Sequence, residues 1–174
     1  KAAAVGIVAG GPLVEDVPAF SGGGAVMTEQ AQGEGFTLEK ARRAAETWFA
    51  PWVKDLGLVV EEIRPGFVRV RLPNNARLNR VGGILSGQAM MAVADTAMVF
   101  AVRSALRGEA DIATVQQSTS FFRAVADTDL ICEAQVTKEG RSMMFGDCTL
   151  YADGQQAKPA AQATLVYAVI PKRQ

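Results

Sequence analysis

The chain has 174 residues, 49% of them apolar, which suits one domain with a full hydrophobic core. Lysine plus arginine equals aspartate plus glutamate, 18 each, so the charge balance does not favour nucleic acid or an acidic membrane surface as a partner. No apolar run reaches the roughly 18 residues needed to span a bilayer, and the absence of histidine excludes a Ser-His-Asp hydrolase.

The first 35 residues differ in composition from the rest. They contain an alanine- and valine-rich start, a glycine-rich stretch at residues 21–24 and a possible translation start at Met27. We interpret residues 1–35 as a flexible leader or an added extension, with a secretory signal as the alternative. Residues 36–174 are then one domain.

The first predicted elements are a helix and a strand pair. Thr37 is a candidate helix cap, and apolar residues follow it at helical spacing: Leu38, Ala41, Ala45, Trp48 and Trp52. Pro51 should kink or end this helix. Strands are predicted at residues 56–63 and 67–72, joined by a turn at residues 64–66, and a polar loop follows at residues 74–83.

The next predicted element is a long helix from about Ser86 to Leu106, ending near Gly108. Between Ala89 and Val102 it carries only two polar residues, Asp95 and Thr96. A helix that is apolar on all sides belongs in a protein interior. A carboxylate there costs several kcal/mol unless it is paired or hydrogen-bonded, so Asp95 is the first candidate for a functional residue.

Four strands are predicted after this helix, at residues 112–125, 130–137, 142–151 and 160–170, separated by turn signals. Consecutive hairpins predict an antiparallel sheet with one face solvated and the other covered by the long helix. The fold class is therefore α+β, a sheet wrapped around one helix. Cys132 and Cys148 lie in two of these strands without a metal-binding spacing, so we interpret them as buried free thiols in the cytoplasm; a disulfide is the alternative.

This order of elements resembles the hotdog fold, and the sequence resembles the PaaI-like acyl-CoA thioesterases. Ser86-Gly87-Gln88 stands where that family typically has His-Gly-Gly, and Ala94-Asp95-Thr96-Ala97 matches its Ala-Asp-Thr-Ala segment nine residues on. Ser120-Phe121-Phe122-Arg123 is similar to the family's Ser-Phe-aliphatic-Arg strand end. Gly140-Arg141 and Asp153-Gly154 match its hairpin positions.

The resemblance implies hydrolysis of a small or medium acyl-CoA or aryl-CoA, with coenzyme A as part of the substrate and no other cofactor or metal. Asp95 would be the base or nucleophile, with Ser86, Gly87 and Gln88 at the helix start. The family's asparagine, six residues before its histidine, falls on Arg80, with Asn79 one step away. The expected substrate-binding residues are Asn79, Arg80, Gly83, Thr114, Ser118, Arg123 and Arg141.

Thioester hydrolysis also needs donors for the developing oxyanion, and the backbone N–H groups of Gly87 and Gln88 are candidates. Nine helical residues advance about 13–14 Å and turn about 900°, which puts Ser86 and Asp95 on opposite faces. If both act, the site lies between two chains. The resemblance likewise implies a homodimer, which often pairs again as a dimer of dimers.

Every candidate also has a structural interpretation. Asp95 is alternatively a buried structural carboxylate and Ser86 a simple N-cap. The hydroxyls of Thr114 and Ser118 are alternatively sheet surface, and the arginines solvated surface. An acyl-CoA-binding hotdog protein without turnover is the alternative function, favoured by the missing histidine, and a purely structural oligomer is a third. Hotdog dehydratases depend on a histidine that this chain lacks.

Overall fold

The computed structural model describes residues 35–106 and 110–171, so residues 1–34 of the predicted leader and Gly108 lie outside the described residues. Helix α1 spans Leu38–Thr47, and Thr37 is its N-cap, with its hydroxyl accepting from the Lys40 N–H. Helix α2, Pro51–Lys54, begins at the proline. The predicted break at Pro51 is confirmed, but the helical spacing of the apolar residues does not continue through Trp48 and Trp52 as one buried face. The chain breaks into two helices at Pro51, which cannot donate to the preceding turn, and both indoles are exposed.

Six strands form one antiparallel sheet. They are β1 (Val59–Arg64), β2 (Phe67–Leu72), β5 (Ala110–Phe121), β6 (Leu130–Glu139), β7 (Met143–Ala152) and β8 (Ala161–Pro171). Their order across the sheet is β1-β2-β6-β7-β8-β5. The turns use glycines with positive φ at Gly66 and Gly154, where other residues would be strained.

The prediction of consecutive hairpins holds for β6-β7-β8 and is wrong for β5. Strand β5 pairs with β8, and β6 pairs with β2. Because β5 crosses to the far edge of the sheet, it is an edge strand in the described part of the chain, with one side hydrogen-bonded to β8 and the other side open.

Helix α3 spans Gly87–Ala105, with Ser86 as N-cap and Leu106 as C-cap, and the sheet curves around it. Val93, Ala97, Met98, Phe100 and Ala101 are fully buried against the strands. At Gly146 on β7 the sheet approaches the helix so closely that an added Cβ would lie 2.5 Å from Met98 Cε. These features confirm the predicted α+β hotdog architecture.

The segment at residues 74–83 is more ordered than the predicted polar loop. It contains a 3₁₀ helix, Ala76–Leu78, and a two-residue strand, β3 (Asn79–Arg80), paired with β4 (Ile84–Leu85) just before α3. Cys132 and Cys148 are buried free thiols. None of the helices in the described ranges is long and apolar enough to cross a membrane.

Candidate functional site

The start of α3 presents two backbone donors. Ser86 Oγ accepts from the Ala89 N–H at 3.3 Å, and its carbonyl accepts from the Met90 N–H at 3.2 Å. The N–H groups of Gly87 and Gln88 have no acceptor among the described residues, as expected for the first turn of a helix. They point outward at the positive end of the helix dipole, which suits a developing negative charge.

A groove of about 460 Å³ opens beside this helix start. Asn79, Ser86 and Gln88 line its polar end at the helix start, and Asp55, Asn75 and Arg77 add further polar lining. The apolar wall is formed by Leu56, Leu78, Ala89, Ala92 and the Trp52 indole. Of the two sequence candidates for the asparagine, Asn79 faces this groove. The exposed Arg80 does not line it; its guanidinium donates to the Val81 carbonyl at 3.2 Å.

Asp95, in the middle of α3, is half-buried and is held by two hydroxyl groups. Thr114 donates to Asp95 Oδ1 at 2.9 Å, and the Tyr167 hydroxyl lies 2.5 Å from the same oxygen. The Tyr167 hydroxyl is also 2.9 Å from the Asp95 main-chain carbonyl oxygen. Within the described residues, every hydrogen bond to this carboxylate ends on Oδ1, so Oδ2 is left open.

Strand β5 runs along α3 and contacts it at three points. The Phe121 ring lies against Gly87, where an added Cβ would be 3.2 Å from Cζ. Gln117 donates to the Met91 carbonyl at 3.1 Å, and Thr114 reaches Asp95. The close approach that Gly87 permits is therefore used by Phe121 within the chain.

A β-bulge between Thr114 and Gln116 changes which residues of β5 face the helix. Thr114 faces α3, and so do Gln117 and Phe121 beyond the bulge. Because side chains alternate along a strand, Ser118 projects from the opposite face of the sheet. In a regular strand, Ser118 would share the helix-facing side with Thr114. Because of the bulge, Gln117 occupies that side instead, and Ser118 lies away from Asp95.

The remaining predicted residues lie on the surface. Gly83 is exposed and has positive φ in the β3–β4 turn. Arg123, just beyond β5, donates to the Pro159 carbonyl at 3.3 Å and keeps an exposed side chain. Arg141 is exposed in the β6–β7 turn. Arg123 lies two residues from Phe121 and so belongs to the same end of α3 as Gly87.

The helix start and Asp95 form two separate clusters in one chain. The continuous helix from Gly87 to Ala105 confirms the geometry assumed above, in which nine residues separate Ser86 from Asp95 by about 13–14 Å along the axis. No single carbonyl group can contact both clusters of the same chain.

Sequence reasoning missed Tyr167, Gln117 and the role of Trp52 as a groove wall. Tyr167 carried a signal: it falls at a core-facing position of β8, two residues after Leu165, and a buried phenol needs a hydrogen-bond partner. Asp95 is a carboxylate that needs donors, so the two requirements match. The described residues contain no group of three or more Cys, Asp or Glu arranged to hold a metal ion.

Comparison with known proteins bears on this arrangement. Residues 82–158 match the model of the thioesterase superfamily. A proposed esterase of Halobacterium salinarum is 33% identical over 115 residues, which is 62% of this chain and 76% of that protein. A proposed esterase of Saccharolobus solfataricus is 28% identical over 96 residues, 55% of this chain and 63% of that protein, so this chain spans less than two thirds of that relative.

A solved structure shares the whole architecture. The crystal structure of a proposed thioesterase from a Silicibacter species is 29% identical, with a TM-score of 0.70, and the match covers 78% of this chain and 93% of that one. The matched residues 82–158 include the helix start, Asp95 and Thr114. The chain therefore belongs to the thioesterase superfamily.

Proposed function

We propose that this protein is an acyl-CoA thioesterase acting on small or medium acyl-CoA or aryl-CoA. Membership of the superfamily supports hydrolysis of a thioester or ester. The observation that carries the proposal is the Asp95 carboxylate, which is held on Oδ1 and open on Oδ2 in the middle of an otherwise apolar helix. A half-buried carboxylate with one free oxygen can take a proton from water or attack a carbonyl carbon.

The reaction adds water across the C–S bond. In the base mechanism, Asp95 removes a proton from water as the oxygen attacks the thioester carbonyl carbon, and the tetrahedral intermediate expels the coenzyme A thiolate. In the nucleophile mechanism, Asp95 attacks the carbonyl carbon and the C–S bond breaks, which gives a mixed anhydride and the coenzyme A thiolate. Water then hydrolyses the anhydride and regenerates Asp95, and in both mechanisms the thiolate takes up the proton that water releases. Both give a carboxylic acid and a thiol. The free N–H groups of Gly87 and Gln88 would stabilise the oxyanion in either case.

We propose that two copies form each site. The described face of α3 leaves Met91 40% exposed beside Asp95, and β5 has an open edge. On β5, Phe121 lies at the helix start and Thr114 at Asp95. Antiparallel pairing of two β5 edges, centred near Gln117 and Ser118, would therefore bring the helix start of one copy beside Asp95 of the other. A further pairing of two such dimers would give a tetramer.

The groove beside the helix start is the proposed site of the acyl group. Its volume of about 460 Å³ and its mainly apolar wall suit a short chain or an aryl ring, and Asn79 and Gln88 at its polar end suit the thioester carbonyl. Exposed arginines at Arg80, Arg123 and Arg141 are the proposed contacts for coenzyme A phosphates. The free thiols Cys132 and Cys148 suit a reducing compartment such as the cytoplasm.

A thiol-release assay with short, medium, long-chain and aryl-CoA substrates tests this proposal. Asp95→Ala should lower kcat by about 100-fold or more, whereas Asp147→Ala, an exposed aspartate on β7, should leave it unchanged. Asp95→Ala must remain folded by circular dichroism. Loss of activity in both variants, or in neither, would contradict the role given to Asp95.

Binding of acyl-CoA without turnover is the second candidate. It is favoured by Ser86, which stands in place of the family's histidine and whose hydroxyl is engaged in capping α3. Calorimetry with a non-hydrolysable acyl-CoA thioether separates the two functions. Tight binding combined with no thiol release from any substrate would select the binding function, and absence of both would leave a structural oligomer.

A further inference from the structure

Tyr167 is the least exposed group that contacts Asp95, and sequence motifs give it no role. It lies on β8 directly opposite Thr114 on β5, so the two side chains form a cross-strand pair on the sheet face covered by α3. Side chains opposite each other on antiparallel strands have Cβ atoms about 4.5–5.5 Å apart. The pair is therefore close enough for both hydroxyls to reach one carboxylate oxygen.

The two members of this pair differ in burial. Tyr167 is 1% exposed and lies at the inner side of the carboxylate, whereas Thr114 is exposed at the outer side. The Tyr167 hydroxyl is within hydrogen-bond distance of both Oδ1 and the main-chain oxygen of Asp95, so it spans the side chain and the backbone of one residue. A donor that contacts both groups fixes the side-chain torsions of Asp95.

We propose that Tyr167 is a positioning residue for the thioesterase reaction: it holds Oδ1 of Asp95 against the helix, so that Oδ2 faces water or the thioester. This inference rests on the proposed function. A carboxylate that rotates freely would present either oxygen, or neither, at the reacting carbon, and a misplacement of about 1 Å can cost on the order of 100-fold in rate.

The hydroxyl of Tyr167 remains a donor throughout the neutral range. Burial and the hydrogen bond to Asp95 raise its pKa well above the usual value for tyrosine. The other titratable group close to Asp95 is Cys148 on β7, whose Sγ lies 3.5 Å from the Ala94 carbonyl oxygen. Hydrogen bonding to Cys132 and burial raise the pKa of Cys148 well above its usual value. Neither group changes charge between pH 4 and 8.

The test compares Tyr167→Phe with Tyr151→Phe in the full-length protein. Tyr151 is a matched control because it is also 1% exposed and its hydroxyl also donates to a carboxylate, that of Glu133, at 2.8 Å. It differs in lying on the opposite face of the sheet, away from Asp95. We expect Tyr167→Phe to lower kcat by about 10- to 100-fold with KM changed less than about threefold. The acidic limb of its kcat profile should move to higher pH, because a donor that stabilises the carboxylate is gone.

Replacement of Tyr167 by 3-fluorotyrosine provides a second variant that keeps the size and the donor. Fluorine makes the phenol a stronger acid and hence a stronger donor, so the acidic limb should move to lower pH, opposite to Tyr167→Phe. This variant decides the question if Tyr167→Phe does not fold.

Each outcome has one meaning. Shifts of opposite sign in the two variants, with Tyr151→Phe unchanged, support the positioning role. Wild-type kcat and pH profile in Tyr167→Phe, or equal losses in the two phenylalanine variants, overturn it. If the native protein releases no thiol from any substrate, the proposed function is wrong and the role of Tyr167 falls with it.

Discussion

Asn79 and Ser86 line the same end of one groove, although seven residues and a short β-turn separate them in the chain. The β3–β4 hairpin brings them together, because Asn79 pairs with Leu85, the neighbour of Ser86. Asn79 therefore lies beside Ser86 in the groove, whereas Arg80 is exposed and does not line it.

Asn79→Ala should lower kcat by about 100-fold, because the Asn79 amide lines the same groove as Ser86 and Gln88 and is a candidate donor to the thioester carbonyl oxygen. Arg80→Ala should instead raise KM and leave kcat unchanged, in a way that weakens with added salt, as expected for a phosphate contact on the surface. Steady-state kinetics at two ionic strengths measures both. If Arg80→Ala lowers kcat more than Asn79→Ala does, residue 80 rather than residue 79 occupies the position of the family's asparagine.

Ser86→Ala should cost about 1 kcal/mol in the free energy of unfolding, because α3 loses its N-cap hydrogen bond to Ala89. Ser86→Asn keeps an oxygen acceptor without adding a charge beside the Gly87 and Gln88 N–H groups, and it should retain most of that stability. Urea unfolding measures the difference. If capping is the whole role of Ser86, kcat follows stability in both variants; a variant that is stable yet has lost activity would assign Ser86 to the chemistry.

Trp52→Ala should raise KM about 10-fold for aryl- and medium-chain substrates, which corresponds to roughly 1.5 kcal/mol of lost apolar contact. Trp48→Ala is the matched control, because Trp48 is also exposed but stacks on Phe36 at 5.4 Å and is not part of the groove. KM should not change there. An equal rise in KM in Trp52→Ala and Trp48→Ala would contradict the proposal that Trp52 contacts the acyl group.

The outer face of the sheet carries an ion-pair network centred on Arg71, which contacts Asp153 at 2.6 Å and Asp129 at 3.0 Å. The hydrogen bond from Arg71 lowers the pKa of Asp153. A carboxyl group with a lowered folded-state pKa stabilises the protein above its unfolded pKa, near 4, and this contribution is lost as pH falls through the folded value.

Arg71→Gln should therefore make the free energy of unfolding less dependent on pH below about 4. Arg43→Gln provides the control, because Arg43 forms an exposed i,i+4 pair with Glu39 at 3.7 Å, away from the network centred on Arg71. Urea unfolding between pH 2.5 and 7 measures the slopes. If the free energy of unfolding changes with pH in the same way in the native protein and in Arg71→Gln, Arg71 is not the cause of this pH dependence.

Local signals in the sequence were sufficient to predict α3 and the approximate positions of the six strands of the main sheet. Ser86 caps the helix as its residue type favours, and turn residues at Gly66 and Gly154 end strands where expected. Asp95 could be identified as a candidate because an isolated carboxylate in an apolar helix is costly unless it is paired or hydrogen-bonded. These features depend on residues that are neighbours in the chain.

Features that depend on distant pairing could not be predicted in the same way. The bulge near Thr114 reverses the facing of later β5 residues, and no glycine or proline marks it. The sequence therefore does not indicate that Gln117, rather than Ser118, shares the helix-facing side with Thr114. Whether β5 pairs with β6 or with β8 depends on competition between strands of similar composition. Tyr167 is recognisable as a partner of Asp95 only once that pairing is known.

The strand order has a consequence for how the chain is made. Strand β8 fills the gap between β7 and β5, so β5 and the adjacent face of α3 have no partner until the last described strand has been synthesised. Thr114 and Tyr167 are brought together only by that final pairing. While the three following strands are being synthesised, one apolar face of α3 and the unpaired β5 strand stay exposed. Exposed surfaces of this kind make a nascent chain prone to aggregation. The Asp95 carboxylate therefore gains both of its hydroxyl partners only once β5 and β8 have paired.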